Sequence, residues 1–496
     1  MNIKYRINLF TNVFSMLVII MSSYITIPII TKNLSISAYN YVALINNFVL
    51  FFSVLSFTLN SMLGKFYTIA LDKSNNEANK FLSSAFFSIL FLFLISSPLI
   101  IYFILEIQQF IKVNNELKMD VQVAFFLSYI SLLITTLVSI LNTIPYSVNK
   151  LNVINYNSIA TNIFRIILII YLFEIFTPHI WYVGFSNLLQ NLLAIICSLY
   201  FFKKIDSRAK ISIGNFRLSY SYKLISTGIL NSVILFGNTL MLQTDLIIGN
   251  QFVDIEIMGA FAILLSFSTT TRSFSTAVST SFSPITTKLY SEKNSGNMIK
   301  HIQKAIYVTS LMSFVPVILI CTIGLNFLEI WLGYNFSNFE KILYIMMIPL
   351  GVSLSFYQLN VLFQTYDKLK FPAILTIFTG IITVIFSYIV GSKSGIIGIV
   401  TVSSIVFFIK NSIILPIYAS KILSTSIFSM YKKIFTPLIT SLLIILIANE
   451  IKKTIIFDEY SKIVIISIAI ILIYFFLNKA IDFLLLSVKK RRNTVE

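Results

Sequence analysis

The sequence predicts an all-α, polytopic membrane protein with about 14 transmembrane helices, arranged as two parallel six-helix repeats followed by two further helices. Three observations carry that prediction. Of the 496 residues, 57% are apolar and only 11% are charged, less than half of the roughly one-quarter charged share that a water-facing surface needs. Apolar stretches of about 20 residues recur about 14 times, separated by polar breaks. Landmarks at the ends of these stretches repeat at a spacing of about 220 residues.

The apolar cores lie near 10–30, 41–63, 81–105, 121–145, 153–173, 180–202, 224–248, 257–281, 306–328, 341–363, 372–391, 395–418, 434–450 and 463–486. Lys4 and Arg6 before the first stretch imitate a signal peptide. The stretch from Leu9 to Ile30 is too long for a signal core and no small-residue cleavage site follows it, so it reads as an uncleaved first helix. Pro28, Pro98, Pro145, Pro316, Pro349 and Pro416 fall in or near the cores, where neighbouring groups can satisfy the carbonyls they free.

Sorting the cations by loop, with the N-terminus inside, gives a roughly threefold excess on the inner side, and both termini are expected in the cytoplasm of a bacterial cell. Lys65-Phe66-Tyr67 ends the second stretch and Lys288-Leu289-Tyr290 the eighth; Asn149-Lys150-Leu151 follows the fourth and Asp367-Lys368-Leu369 the tenth. The offsets, 288−65 = 223 and 368−150 = 218, agree closely enough to indicate a duplication of six helices per unit. The expected division is a six-helix lobe over 1–202, a basic cytoplasmic linker over 203–223, a second six-helix lobe over 224–420, and two additional helices with a basic tail over 421–496.

A net charge of +18 in a soluble chain would suggest a nucleic-acid partner; in this chain it records membrane orientation, and no nucleic acid is expected. Cys197, Cys321, His179 and His301 are the only soft-metal ligands and lie far apart in sequence, so neither a metal nor another cofactor is expected. The sequence has no phosphate-binding loop, dinucleotide fingerprint or nucleophile elbow, and its outer loops are no longer than roughly 15 residues. Enzyme chemistry therefore lacks a place, and the interior of the bundle remains.

Charges at a helix centre cost at least ~2.5–3.5 kcal/mol each and persist mainly beside water or a partner. Arg165, Arg272 and Lys410 sit near predicted midplanes, with Asp245 the one central acid. Together they leave a surplus of positive charge, which suits an anionic headgroup. Lys410 could instead snorkel and Arg165 could pack locally. Arg272 shares a face with Ser268, Ser275, Ser279 and Ser283. Asn231, Asn238 and Asp245 recur at sevens, as do Asn46, Ser53 and Asn60, so both sets form stripes that drift only ~20° per step. The amides and charges are the expected cavity residues, with Asp245 the candidate for ion coupling; individual hydroxyls can bond back to their own helix.

Ile27-Pro28-Ile29-Ile30-Thr31-Lys32-Asn33-Leu34 through Ala38-Tyr39, Gln243-Thr244-Asp245-Leu246-Ile247-Ile248-Gly249, Phe282-Ser283-Pro284 and Lys393-Ser394-Gly395-Ile396-Ile397-Gly398 give the chain a further likeness. With them it resembles the Wzx-type polysaccharide flippases of the multidrug/oligosaccharidyl-lipid/polysaccharide exporter superfamily. The resemblance implies that Asp245 and Arg272 lie in a transport cavity. It implies movement of an undecaprenyl-diphosphate-linked oligosaccharide across the cytoplasmic membrane for a capsule or other surface glycan, by rocking of two halves. The implied partners are that lipid-linked substrate, membrane lipids and other polysaccharide-assembly proteins. A cation-coupled drug exporter of the same fold, an integral-membrane glycan polymerase or ligase, and a structural membrane protein are the alternatives; an exporter would be expected to carry more acid than base in its cavity.

Overall fold

A computed structural model describes residues 3–452 and 459–492, and among them every element is helical. By packing, the chain divides into two units, Met1–Ala262 and Ile263–Glu496; the division falls inside the helix Ile255–Thr280 and not in the basic segment 203–223.

The first unit holds α1 (Ile3–Asn33), α2 (Ile36–Leu71), α3 (Asn75–Leu105), the short α4 (Ile107–Phe110), α5 (Lys118–Leu141), the short α6 (Thr143–Ser147), α7 (Leu151–Ile175), α8 (Trp181–Ile205), α9 (Leu218–Phe252) and the beginning of α10 (Ile255–Thr280). Its main packing pairs are α5 with α8, α2 with α9 and α1 with α7. Side-chain bonds fix the α2–α9 register. Thr58 donates to Ser232 at 2.7 Å and Asn47 Nδ2 to the Gln243 carbonyl at 3.2 Å, and in both pairs the residue numbers sum to 290, so the helices run antiparallel. Glycine permits their approach: a Cβ on Gly228 would lie 2.1 Å from the Thr58 carbonyl oxygen, the small-residue contact typical of membrane helices.

The second unit holds the rest of α10, α11 (Ser283–Ser291), α12 (Ser295–Leu332), α13 (Glu340–Ser355), the short α14 (Gln358–Thr365), α15 (Lys370–Phe408), α16 (Leu415–Ile422), α17 (Ile427–Lys452) and α18 (Tyr460–Arg492). Here α12 packs on α13 and α17, α13 on α15, and α18 on α12 and α17.

Twelve of the described segments are long and apolar enough to cross a membrane. The expectation of about 14 spans differs from that number in two places. The stretch Lys370–Ile422 counts once, although it contains two of the expected cores. They meet at Gly395, whose φ of 57° and ψ of −144° break the helix in a region that glycine enters without a Cβ clash. The other place is α10, whose second half is rich in Ser and Thr around Arg272 and so has low hydropathy.

The duplication is visible in the element boundaries. Starts recur at Ile36 and Ile255 (255−36 = 219), Asn75 and Ser295 (295−75 = 220), and Leu151 and Lys370 (370−151 = 219). Single 3-10 turns lead into α5 at Asn115–Leu117 and into α13 at Ser337–Phe339 (337−115 = 222). The N-caps of α3 and α12, Ser74 and Asn294, each accept from the backbone N–H three residues on. Asn149 and Asp367 both take left-handed φ, 56° and 54° (367−149 = 218), a conformation that short polar side chains tolerate. One interhelical contact also recurs: Asn191 donates to Ser131 at 2.7 Å, and the hydroxyls of Ser412 and Ser353 lie 3.1 Å apart (412−191 = 221, 353−131 = 222).

Candidate functional site

The expected site residues fall in both units. In the second, Arg272 projects from α10 toward α15, with its Cζ 5.0 Å from the centroid of the Phe407 ring. That is cation–π distance, worth ~0.5–1 kcal/mol when exposed and ~2 kcal/mol or more when dry. The serine face of α10 is packed rather than wet at Ser275, which accepts from Ser313 of α12 at 2.8 Å, and Ser268, Ser275 and Ser279 are all buried. Arg272 is half-buried at the edge of this dry face.

Lys410 lies three residues beyond Phe407 and is only 3% exposed. It sits in a π-helical turn, Ile409–Ile414, between α15 and α16. Pro416 accounts for the widening, since it has no N–H to give the Ser412 carbonyl four residues earlier. The Leu415 N–H reaches back five residues to the Lys410 carbonyl, and the Tyr431 hydroxyl of α17 donates to the Ser412 carbonyl. Ser353 of α13 meets the Ser412 hydroxyl, and Asn411 Nδ2 donates to the Phe407 carbonyl at 3.0 Å. The turn thus holds Lys410, Asn411 and Ser412 inside the unit. Such wide turns occur frequently at functional sites.

Sequence reasoning did not find Phe407, Ser353 or Tyr431. The only available signal was a proline six residues after a lysine in an apolar run.

In the first unit Arg165 Nη1 donates to Ser22 at 3.1 Å, and its Nε is buried without a hydrogen bond among the described residues. This contact belongs to a longer polar seam between α1 and α7. Asn8 accepts from the Asn152 N–H at 3.1 Å and Asn155 Nδ2 donates to Thr11 at 3.1 Å, both at an offset of 144, against 143 for Arg165 and Ser22. Constant offset means parallel helices held in register, so Arg165 has a local packing partner.

The amide stripes are placed as follows. Asn60 Nδ2 donates to Ser139 of α5 at 2.7 Å. Asn46 is exposed, and the neighbouring Asn47 is the buried amide that ties α2 to α9. On α9, Asn231 and Asn238 are half-buried and Asp245 is buried. The structure therefore sets Arg272 against the Phe407 ring and Lys410 in the buried turn that follows Phe407 in the chain, and gives Asn60 and Arg165 interhelical partners in the other unit.

No cluster of three His, Cys, Asp or Glu side chains suited to a metal ion occurs among the described residues. His179 pairs with Asp120 at 2.9 Å, and His301 meets Thr286 at 3.2 Å.

No protein-family model matches the chain. An uncharacterized membrane protein of Bacillus subtilis (strain 168), EpsK, is 28% identical over 425 residues, 84% of each chain. Among solved structures, an inward-facing multidrug resistance transporter of the MATE family in the MOP superfamily superposes with a TM-score of 0.72 at 14% identity, covering 82% of this chain and 94% of its own. The lipid II flippase MurJ, in an inward closed conformation, superposes with a TM-score of 0.71 at 18% identity, covering 97% of this chain and 99% of its own. The likeness to the solved structures is one of fold: the chain is a multi-pass, all-α membrane protein with the architecture shared by MATE transporters and MurJ.

Proposed function

We propose that this protein moves an undecaprenyl-diphosphate-linked oligosaccharide from the cytoplasmic to the outer leaflet of a bacterial plasma membrane, for assembly of a capsule or other surface polysaccharide. The observation that carries the proposal is Arg272 on the Phe407 ring together with the buried Lys410 of the turn that follows Phe407 in the chain. Lys410 is buried in a π turn and Arg272 lies against the ring, and fixed cations in a low-dielectric surrounding suit a diphosphate. The fold shared with a lipid II flippase supports a lipid-linked substrate. In this reading Arg272 and Lys410 hold the diphosphate, and Asn46, Asn60, Asn231 and Asn238 face the sugars. Asp245 couples an ion, and Arg165 keeps α1 and α7 in register at the edge of the path. Rocking of two repeats then exposes the site alternately.

Deleting the gene tests the proposal. Complete lipid-linked repeat units should be stranded on the cytoplasmic leaflet while surface polysaccharide disappears and drug tolerance is unchanged. The MATE likeness also admits a drug exporter, whose loss would leave the glycan normal and alter drug sensitivity. Accumulation of single units on the outer leaflet would point to a polymerase and defeat the flippase reading.

A further inference from the structure

Within the segment 203–223, residues 203–205 end α8 and 218–223 begin α9; the stretch 206–217 between them has no regular structure except one 3-10 turn, Ile213–Asn215, so its backbone polar groups need partners from elsewhere. They find them on one face of α3. Asn79 Nδ2 donates to the Arg208 carbonyl at 3.1 Å, and Asn79 Oδ1 accepts from the Lys210 N–H at 2.9 Å. Ser83 accepts from the Ser212 N–H at 3.2 Å, Ser84 from the Arg217 N–H at 3.0 Å, and Ser88 donates to Ser221 at 2.7 Å. Tyr220 adds a hydroxyl bond to Glu77. The segment is thus a strap fastened to α3 mainly through its backbone. Of its basic side chains, Arg208 pairs with Asp206 at 3.4 Å within the strap and Arg217 Nη1 donates to the Gly214 and Phe216 carbonyls at 3.0 and 2.8 Å, contacts that leave both guanidinium groups at the exposed surface.

Those side chains have an interfacial composition. Lys203, Lys204, Arg208, Lys210, Arg217 and Lys223 are all exposed, against one acid, Asp206. Between them Ile213, Leu218 and Tyr222 are 78%, 74% and 72% exposed. Helix length sets their depth. The 31 residues of α3 rise ~46 Å at ~1.5 Å each, ~16 Å more than a ~30 Å hydrocarbon core accommodates. The ladder begins at Asn79, ~6 Å from the α3 N-terminus, and ends at Ser88, ~20 Å from it, so the strap runs from headgroup level to the edge of the hydrocarbon. Basic side chains interleaved with exposed apolar ones at that depth match a phosphate layer above acyl chains.

We propose that the strap 203–223 is a binding surface for anionic phospholipid headgroups, with Arg208, Lys210 and Arg217 on the phosphates and Ile213, Leu218 and Tyr222 inserted between them. This surface does not depend on which substrate the bundle carries. The test uses the full chain with Cys197→Ser, Cys321→Ser and Ile213→Cys, labelled with an environment-sensitive dye, in nanodiscs of phosphatidylcholine alone or with about 30% phosphatidylglycerol. The expected result is a blue-shifted emission and a reduction of at least about twofold in iodide quenching with the anionic lipid, both reversed by about 0.5 M salt. Combined Arg208→Gln, Lys210→Gln and Arg217→Gln should remove the lipid dependence, while Lys288→Gln with Lys293→Gln should keep it. The salt reversal needs no charge variant, so a misfolded triple variant leaves the test intact. Equal quenching in both nanodiscs, or a lipid response that survives the triple neutralisation in a folded chain, would overturn the proposal. Protection appearing only with an added acidic protein would overturn it as well, in favour of a protein partner.

Discussion

Replacing Tyr431 by Phe removes one oxygen and leaves the ring, its edge contact with Phe356 and the packing volume in place. What is lost is the hydroxyl that donates to the Ser412 carbonyl, in a residue only 1% exposed. Pro416 brings no N–H to that carbonyl and water is scarce at this depth, so the cost should lie in the upper part of the ~1–3 kcal/mol range for an orphaned buried acceptor. At ~1.4 kcal/mol per factor of ten, ~2–3 kcal/mol raises the opening equilibrium of the π turn ~30- to ~140-fold. Hydrogen exchange read by mass spectrometry over 405–416 should show that increase, and thermal unfolding in detergent should fall in parallel. Pro416→Ala supplies the missing N–H, so adding Tyr431→Phe to it should cost under ~0.5 kcal/mol, the coupling expected of groups that share one acceptor. Equal cost of Tyr431→Phe in both backgrounds would refute the account of how the turn is held, as would unchanged exchange in the single variant.

Arg272→Ala should abolish transport with normal membrane abundance while Arg272→Lys keeps part of it, because lysine preserves the charge but loses the planar fork; leaflet-resolved labelling of the lipid-linked glycan measures both. Phe407→Leu removes the ring beneath the guanidinium, and ~1 kcal/mol of lost cation–π contact corresponds to a fall of ~5-fold in the same assay. Gly228→Ala should destabilise the first unit by at least ~1–3 kcal/mol, since the new Cβ would overlap the Thr58 carbonyl, and a lowered midpoint in thermal unfolding checks it. Cysteines at Lys204 and Lys288 should react with an impermeant label only after permeabilisation, and those at Lys118 and Lys393 without it. Lys453, also assigned outside by its loop, lies outside the described residues.

The spans were legible because a bilayer demands about 20 apolar residues in a row, a requirement each segment meets on its own. The duplication was legible because loop residues such as Asn149 and Asp367 have a backbone duty, the left-handed φ that both adopt. Side-chain partnership was not. The spacing of Asn46, Ser53 and Asn60 gives a stripe, yet Asn47, rotated ~100° from Asn46, is the amide bonded to α9, and heptad spacing alone does not choose between neighbours. Nothing near Arg165 in the sequence points to Ser22, 143 residues earlier. Pro416 was visible, but its effect on Ser412 depends on Tyr431, which reaches the turn from a different helix.

The serine contact repeated in both halves shows where the two copies parted. In the first, Asn191 reaches Ser131 from an unbroken α8; in the second, the corresponding contact between Ser412 and Ser353 is made inside the π turn. A five-residue reach takes up one more residue than a four-residue reach, and each added residue turns the helix ~100° and lengthens it ~1.5 Å. The second copy is therefore out of phase with the first beyond this point. Tyr418 rests against Phe363 and Phe371 in that shifted phase. Cutting one residue from the turn would straighten the helix and swing Tyr418 off both rings, so a single-residue difference in length decides which face the end of this helix turns toward Phe363 and Phe371.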